Sequence, residues 1–382
     1  MRAYVFTDRK LLKLAGRSVR LDIDTENPAN GTFVERFPID AWPTLLVIDP
    51  ATEQVVVRWV GTATADDVVQ LALDGEKAVK AERRSRADAA LARADALMGE
   101  RKHGEAAAAY AQALAEGGKR WPARERAAEN RVQALSFVED QAPCAAAAKE
   151  LLPLVEDVNR RARILESGLS CALALDDQQA QLAAVAPLEP AARRLLKDRA
   201  VLANDRSGLY ELLLGAQEAR GDEAKVRALA GQWWAFLERE TVRAPTALAR
   251  SSYNSARVSA AVALGEPARA LPALQASERE LPGEFTPPAS LAYLYLELGR
   301  PADARAAADR ALALAQGPRR VRVLTLRARA ERDLGELAAA RASAAEAVKL
   351  GESYAPGQRP EGYLRAARKL AGELEASGAP AP

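Results

Sequence analysis

The side chains in this sequence that could do redox or metal chemistry are few and far apart. Its two cysteines, Cys144 and Cys171, are separated by 27 residues, and its one histidine is His103. Their helical setting favours two buried, small apolar side chains. The alternative is a structural disulfide, which would imply an oxidising compartment. With one histidine and two distant cysteines, the sequence predicts no catalytic residue, no metal and no cofactor.

The composition excludes several classes of protein. Basic and acidic residues number 54 and 52, so the net charge of +2 does not indicate binding to nucleic acid or to a membrane surface. The sequence has no glycine-rich phosphate loop and no nucleophile with a histidine partner, which excludes nucleotide-binding, kinase and hydrolase interpretations. It also has no signal-peptide pattern and no apolar run near the ~20 residues of a membrane span. As written, the sequence predicts a cytoplasmic protein; a periplasmic or secreted one is the alternative if a signal peptide lies upstream.

The first 80 residues show a mixed pattern of helices and strands. Period-two alternation predicts strands, and apolar residues at helical spacing predict helices. The apolar run at 45–48 is expected to be a strand covered on both faces, and Thr64 is expected to cap a helix. In order, the predicted elements are a helix over 4–15, a strand over 19–24, a helix over 27–37, strands over 45–48 and 55–60, and a helix from Thr64.

The turn Trp42-Pro43-Thr44 lies between the 27–37 helix and the 45–48 strand. Together with the 19–24 strand, the helix exit at 33–39 and Gly61 after the return strand, it resembles the second half of a thioredoxin domain. In that family the proline of this turn is cis, lies opposite a Cys-x-x-Cys active site and faces the bound peptide. The resemblance implies a cis Trp42–Pro43 bond and a peptide-facing turn. The alternative for Trp42 is a partly buried aromatic beside the turn.

The thioredoxin resemblance is incomplete. Residues 1–80 contain no cysteine, and disulfide exchange needs a thiolate with a resolving thiol beside it. The strand that the family places between 19–24 and 45–48 is also missing. The segment is therefore either part of a longer polypeptide or packed on the helical region, and as written it is expected to be redox-inactive. We expect the codons upstream of Met1 to encode a Cys-x-x-Cys, which would make the protein a thiol–disulfide oxidoreductase, the alternative function.

Beyond residue 81 the sequence predicts helices and a repeat. Gly265, Gly299 and Gly335 each follow a leucine and precede a predicted helix, at intervals of 34 and 36 residues. The residues found where paired helices would cross, most of them small, are Ala94, Leu97, Ala106, Tyr110, Ala113, Val258, Ala270, Leu274, Ser277, Ala292, Ala304, Ala308, Ala311, Ala328, Ala340, Ala344 and Ala347. The pattern resembles tetratricopeptide repeats, strongly over 87–118 and 250–350. It implies helical hairpins stacked into an α-solenoid.

The predicted architecture is α/β followed by all-α. An incomplete thioredoxin-like segment occupies 1–80, tetratricopeptide-like helical repeats occupy 81–376, and 377–382 is a disordered tail. Helices over 123–245 fall out of phase with the repeat. The adjacent Trp233 and Trp234 are expected to fill the core between helices there.

The first helix of each repeat would line a surface that binds a partner. In this alignment the surface includes Tyr293 and Leu296 from one repeat and Thr325 with three arginines, Arg322, Arg329 and Arg332, from the next. Arginines at helical spacing could hold a carboxylate or an acidic peptide by paired hydrogen bonds. The alternative is a solvated basic face balanced by Glu331, Asp333 and Glu336. The predicted function is a protein–protein interaction scaffold with a protein or peptide partner.

Overall fold

The computed structural model describes residues 5–25, 27–39, 41–80, 85–354 and 359–376, and most of these residues are helical. The chain divides into two compact units: Met1–Arg20 with Ala41–Trp233, and Leu21–Asp40 with Trp234–Pro382. The predicted boundary at residue 80 stays a prediction, because this division by packing does not test it. The predicted tail at 377–382 lies outside the described residues.

The elements follow one another with short connections. Two strands, β1 (Thr44–Asp49) and β2 (Gln54–Val60), come early in the chain. Short 3-10 helices cover Arg9–Leu14, Pro28–Asn30, Leu152–Leu154 and Pro267–Ala270. The α-helices are α1 (Gly31–Arg36), α2 (Ala65–Lys80), α3 (Arg86–Gly99), α4 (His103–Gly117), α5 (Arg124–Ser136), α6 (Ala142–Leu151), α7 (Val158–Leu173), α8 (Gln178–Val185), α9 (Glu189–Leu195), α10 (Ala203–Ala219), α11 (Glu223–Arg243), α12 (Ala247–Ser251), α13 (Asn254–Leu264), α14 (Leu271–Glu280), α15 (Thr286–Glu297), α16 (Pro301–Leu314), α17 (Arg319–Asp333), α18 (Leu337–Ser353) and α19 (Glu361–Ala376).

The predicted strand over 19–24 is wrong. These residues form no regular element, and Val19 and Leu21 are 87% and 70% exposed. A strand needs a neighbour to satisfy its backbone groups, and the strand that the thioredoxin pattern would place beside this one is missing. The predicted helix over 4–15 is also wrong in extent, since only the 3-10 helix Arg9–Leu14 forms among its described residues.

The return of the chain after the Trp42 turn forms a β-hairpin. β1 and β2 pair antiparallel, with Thr44 opposite Val60, and α2 packs on both strands. The Thr64 hydroxyl accepts a hydrogen bond from the Asp67 amide at 3.0 Å, which confirms the predicted cap. The expectation that the first strand is covered on both faces is wrong, because every residue of β1 is only partly buried. Within the described residues the sheet consists of these two strands. The thioredoxin resemblance is therefore not confirmed.

Helical hairpins make up the rest of the first unit. α3 packs against α4, and α4 against α5. Further on, α5 packs on α7 and α7 on α10, while α6 and α8 each contact two of these helices. Ala94, Ala106 and Ala113 are fully buried between α3 and its neighbours, which confirms the prediction of close-packed small residues there. Trp233 is also buried as predicted, with its indole nitrogen donating to the Ser207 hydroxyl at 2.9 Å.

The second unit contains the most regular repeat. α15 packs on α16, α17 on α18, and α18 on α19. Gly299 and Gly335 have positive φ angles of 64° and 79°, which end the first helix of each pair in the conformation that glycine adopts most readily. The predicted crossing residues are fully buried: Ala292, Ala304, Ala308, Ala311, Ala328, Ala340, Ala344 and Ala347. The prediction of helices beyond residue 81 is confirmed for the described residues. No helix among them combines the length and apolar character that a bilayer crossing requires.

A close contact between α6 and α7 gives a test of the packing. A Cβ built on Gly168 would lie 2.3 Å from the Ala148 Cβ and 3.1 Å from a Leu188 methyl carbon. Gly168→Ala should therefore lower the free energy of unfolding by about 1–3 kcal/mol, as overpacking does in other cores. This loss opposes the ~1 kcal/mol by which alanine favours a helix over glycine. Urea unfolding followed by circular dichroism measures the change.

Gly104→Ala is the matched control, because nothing lies within 4 Å of a Cβ built on this helical glycine in the same unit. It should leave the unfolding free energy unchanged or raise it by up to ~1 kcal/mol. Equal effects at the two positions would contradict the close α6–α7 crossing.

Candidate functional site

The predicted peptide-facing turn is held by hydrogen bonds on both sides of its proline. The Trp42–Pro43 bond is cis, as predicted. The Pro43 carbonyl accepts from the Gly61 amide at 2.8 Å, and the Thr44 hydroxyl donates to the Ala41 carbonyl at 2.7 Å. Trp42 is 57% exposed, more than its alternative as a partly buried aromatic implies. A peptide-binding role for this turn stays a prediction.

The predicted arginine surface lies on α15 and α17 of the second unit. We call Tyr293, Glu297, Arg322 and Arg329 the α15–α17 surface. Burial raises the pKa of Tyr293 and the Glu297 carboxylate raises it further, while the positive charges of Arg329 and Arg322 oppose this shift. These four partly buried side chains are therefore close enough to interact electrostatically.

The three predicted arginines differ in their partners. Arg329 lies 3.7 Å from the Glu297 carboxylate. Arg332 lies 3.0 Å from Asp333 and 3.6 Å from Glu373 on α19. Arg322 makes no ion pair within the described part of the chain. The structure thus places Arg322 and Arg329 beside Tyr293, whereas Arg332 is balanced by acidic neighbours, as the solvated-face alternative proposes.

Two of the three predicted acidic counterparts, Glu331 and Glu336, bind arginines outside the predicted set. Glu331 pairs with Arg327 at 2.9 Å and is almost fully buried. Glu336 pairs with Arg305 of the preceding hairpin at 2.6 Å. Neither carboxylate therefore neutralises Arg322, so this guanidinium is the member of the α15–α17 surface that is best placed to hold an added carboxylate.

The first unit contains a buried ionic cluster that the sequence analysis missed. Arg160 and Arg163 on α7 donate to the two oxygens of Glu129 on α5, at 2.8 and 2.6 Å. The same arginines lie 3.3 and 3.8 Å from Asp67 on α2. We call Asp67, Glu129, Arg160 and Arg163 the ionic cluster. Burial alone would lower the pKa of Arg163, but the Glu129 carboxylate raises it above its ordinary value. Two positive and two negative charges therefore stabilise one another away from solvent.

An aromatic ring completes this cluster. Trp59 of β2 is buried, and the guanidinium carbons of Arg160 and Arg163 each lie 4.9 Å from its ring centroid. The indole nitrogen donates to the Thr62 carbonyl at 3.0 Å, so the polar edge of the ring is satisfied locally. Two cations on one indole ring are a favourable arrangement when desolvated.

Carboxyl groups on α7 and α10 lie next to the ionic cluster. The Asp205 carboxylate accepts from the Thr62 hydroxyl at 2.9 Å. Burial raises the pKa of Asp205 to about 6, against the opposing charge of Arg163. Burial and the Asp205 charge also raise the pKa of Glu166 well above its usual range. These carboxyl groups are therefore harder to ionise than exposed ones.

The two cysteines are joined in a disulfide, so the expectation of two separate apolar side chains is wrong and its alternative is found. Cys144 on α6 and Cys171 on α7 have Cα atoms 6.0 Å apart, within the range that a disulfide requires. Both side chains are buried. Since the chain has no other cysteine, it offers no free thiol for disulfide exchange in this state.

Comparison with solved structures finds helical repeat proteins. A tetratricopeptide repeat protein from Parabacteroides merdae is 15% identical, aligns over 74% of this chain and 98% of its own, and gives a TM-score of 0.43. The TPR2AB domain of yeast Sti1 in a pHSP90 complex is 13% identical over 76% of this chain and 98% of its own, with a TM-score of 0.30. The APC/C hetero-tetramer Cut9–Hcn1 gives 12% identity, 81% and 77% coverage, and a TM-score of 0.24. TM-scores this low do not establish a common fold. No family model and no curated protein matches the sequence.

Proposed function

We propose that the chain is a protein-interaction scaffold of tetratricopeptide-like hairpins, and that its α15–α17 surface binds an acidic or C-terminal peptide. The observation that supports this most directly is Arg322, a partly buried arginine with no ion pair among the described residues. It shares one face with Arg329 and Tyr293. A bound carboxylate would give Arg322 the partner that its neighbours have, and the guanidinium presents two parallel N–H groups for it.

The disulfide bears on the compartment in which this function would take place. Disulfides persist in oxidising surroundings and are rare in the reducing cytosol. We therefore propose a periplasmic or secreted location in preference to the cytoplasmic one. The state of Cys144 and Cys171 in protein isolated with thiol-blocking reagent, resolved by mass spectrometry, tests this directly. Fully reduced cysteines would restore the cytoplasmic interpretation.

Replacing the three arginines by alanine should weaken peptide binding by at least tenfold. Each lost hydrogen bond to a charged group contributes about 1.5–3 kcal/mol, and at least Arg322 and Arg329 should contact the ligand. The probe is a labelled peptide that ends in two glutamates and a free carboxylate, measured by fluorescence polarisation at several salt concentrations. The triple variant should also flatten the salt dependence.

The control replaces three exposed arginines elsewhere in the second unit by alanine and so removes the same charge: Arg239, Arg279 and Arg365. This variant should bind the peptide within twofold of the parent protein. An equal loss of peptide affinity in both triple variants would show that the effect comes from net charge alone. An affinity within twofold of the parent in the Arg322, Arg329 and Arg332 variant would show that these arginines are merely solvated.

A further inference from the structure

A continuous stretch of the first unit lies against three helices, α5, α7 and α10. Residues 59–67 run from the end of β2 into the first turn of α2. A Cβ on Gly61 would lie 3.7 Å from the Gln133 amide of α5. Thr62 donates to Asp205 of α10. We call the surface that α5, α7 and α10 present to residues 59–67 the α5–α7–α10 face.

The contacts at the centre of this face have the chemistry of peptide recognition. The guanidinium groups of Arg160 and Arg163 on α7 both lie against the ring of Trp59. Asp67 lies beside the same two arginines. An aromatic anchor and an acidic anchor on one short segment therefore meet one pair of basic side chains, as a bound peptide meets its receptor.

The fit between residues 59–67 and this face is incomplete. Arg163 Nη1 and Asp205 Oδ2 are buried and have no hydrogen-bond partner among the described residues. Arg163 and Asp205 are themselves 6% and 1% exposed. Unsatisfied buried polar atoms are costly, so an occupant that supplied an acceptor and a donor here would be held more tightly than residues 59–67.

The elements that carry residues 59–67 also pack on neighbours outside the α5–α7–α10 face. α2 and the 3-10 helix Arg9–Leu14 pack on each other, and β2 packs on α3. No third strand extends the β1–β2 hairpin in the described residues. A two-stranded hairpin is marginal by itself in water, so its placement depends on the contacts with the helices. The helices of the face, by contrast, also pack on one another, α5 on α7 and α7 on α10.

We propose that the α5–α7–α10 face is a peptide-binding site, that residues 59–67 fill it in cis, and that a protein partner carrying an aromatic and an acidic side chain displaces them. The site uses other residues than the α15–α17 surface and lies in the other compact unit. It therefore stands or falls independently of the function proposed above.

The test weakens the binding of residues 59–67 to the face by mutation and adds the same segment as a separate peptide. The full-length chain with Trp59→Ala and Asp67→Asn is titrated against a labelled synthetic peptide of residues 57–70. Competition by an internal occupant reduces apparent affinity by the fraction of open protein. The double variant should therefore bind the peptide at least tenfold more tightly than the parent chain. A peptide that itself carries both substitutions should bind neither protein.

Leu12→Ala with Asp176→Asn is the control, since both side chains are exposed in the same unit and lie outside the face. It should bind the peptide as weakly as the parent chain. Two results would overturn the proposal. One is equal affinity of the double variant and the parent chain, or no binding by either. The other is loss of helical circular dichroism in the double variant, which would make residues 59–67 part of the core instead of a replaceable occupant.

Discussion

Replacing Glu129 by alanine should lower the free energy of unfolding by about 3–5 kcal/mol, the range found when one partner of a buried ion pair is removed. Glu129 is 4% exposed and accepts from both Arg160 and Arg163. Without it, Asp67, which lies farther from each of them, would be the remaining ion-pair partner of both guanidinium groups, and Asp205 would be a further negative charge near Arg163. Urea unfolding followed by circular dichroism at neutral pH measures the loss.

Glu139→Ala is the control for Glu129→Ala, because Glu139 is an exposed glutamate shortly after the same helix. Its loss should change the unfolding free energy by no more than about 0.5 kcal/mol. Similar small effects at both positions would show that the ionic cluster is open to water and contributes little to the fold.

Removing the disulfide should lower the free energy of unfolding by a similar amount. The link between Cys144 and Cys171 closes a loop with a sequence separation of 27, for which chain entropy in the unfolded state gives about 3–4 kcal/mol. Replacing both cysteines by alanine should lower the unfolding free energy by that amount in non-reducing conditions. Calorimetry or urea unfolding measures the change.

Reductant separates loss of the link from loss of packing. Dithiothreitol should destabilise the parent protein once its buried disulfide is reduced, and should have no effect on the variant without cysteines. If the parent and this variant unfold together in non-reducing conditions, the link does not constrain the unfolded chain.

The helical repeat could be predicted from sequence because local rules determine it. Glycine ends helices at 299 and 335 through its backbone freedom, and alanine marks helix crossings because larger side chains do not fit there. The Thr64 cap and the hairpin after Trp42 follow from equally local signals. The closeness of Tyr293, Arg322 and Arg329 follows from helical periodicity once the two helices are known to be neighbours.

The remaining features depend on contacts between distant parts of the chain. Alternation over 19–24 shows two faces but cannot show whether a neighbouring strand exists to pair with. The 27-residue spacing of the cysteines does not reveal a Cα distance of 6.0 Å. Asp67, Glu129, Arg160 and Arg163 each look like ordinary surface charges in their own helices. Only the packing of α2, α5 and α7 brings them together.

The ionic cluster also limits which substitutions this sequence can accept during evolution. Its two positive and two negative members compensate one another in the interior. Losing one charge leaves others buried without a counterion, whereas replacing all of them by apolar residues of similar volume can be neutral. Positions 67, 129, 160 and 163 should therefore be inherited as a set. In an alignment of orthologues they should covary, with charged and apolar versions both present and mixed versions rare.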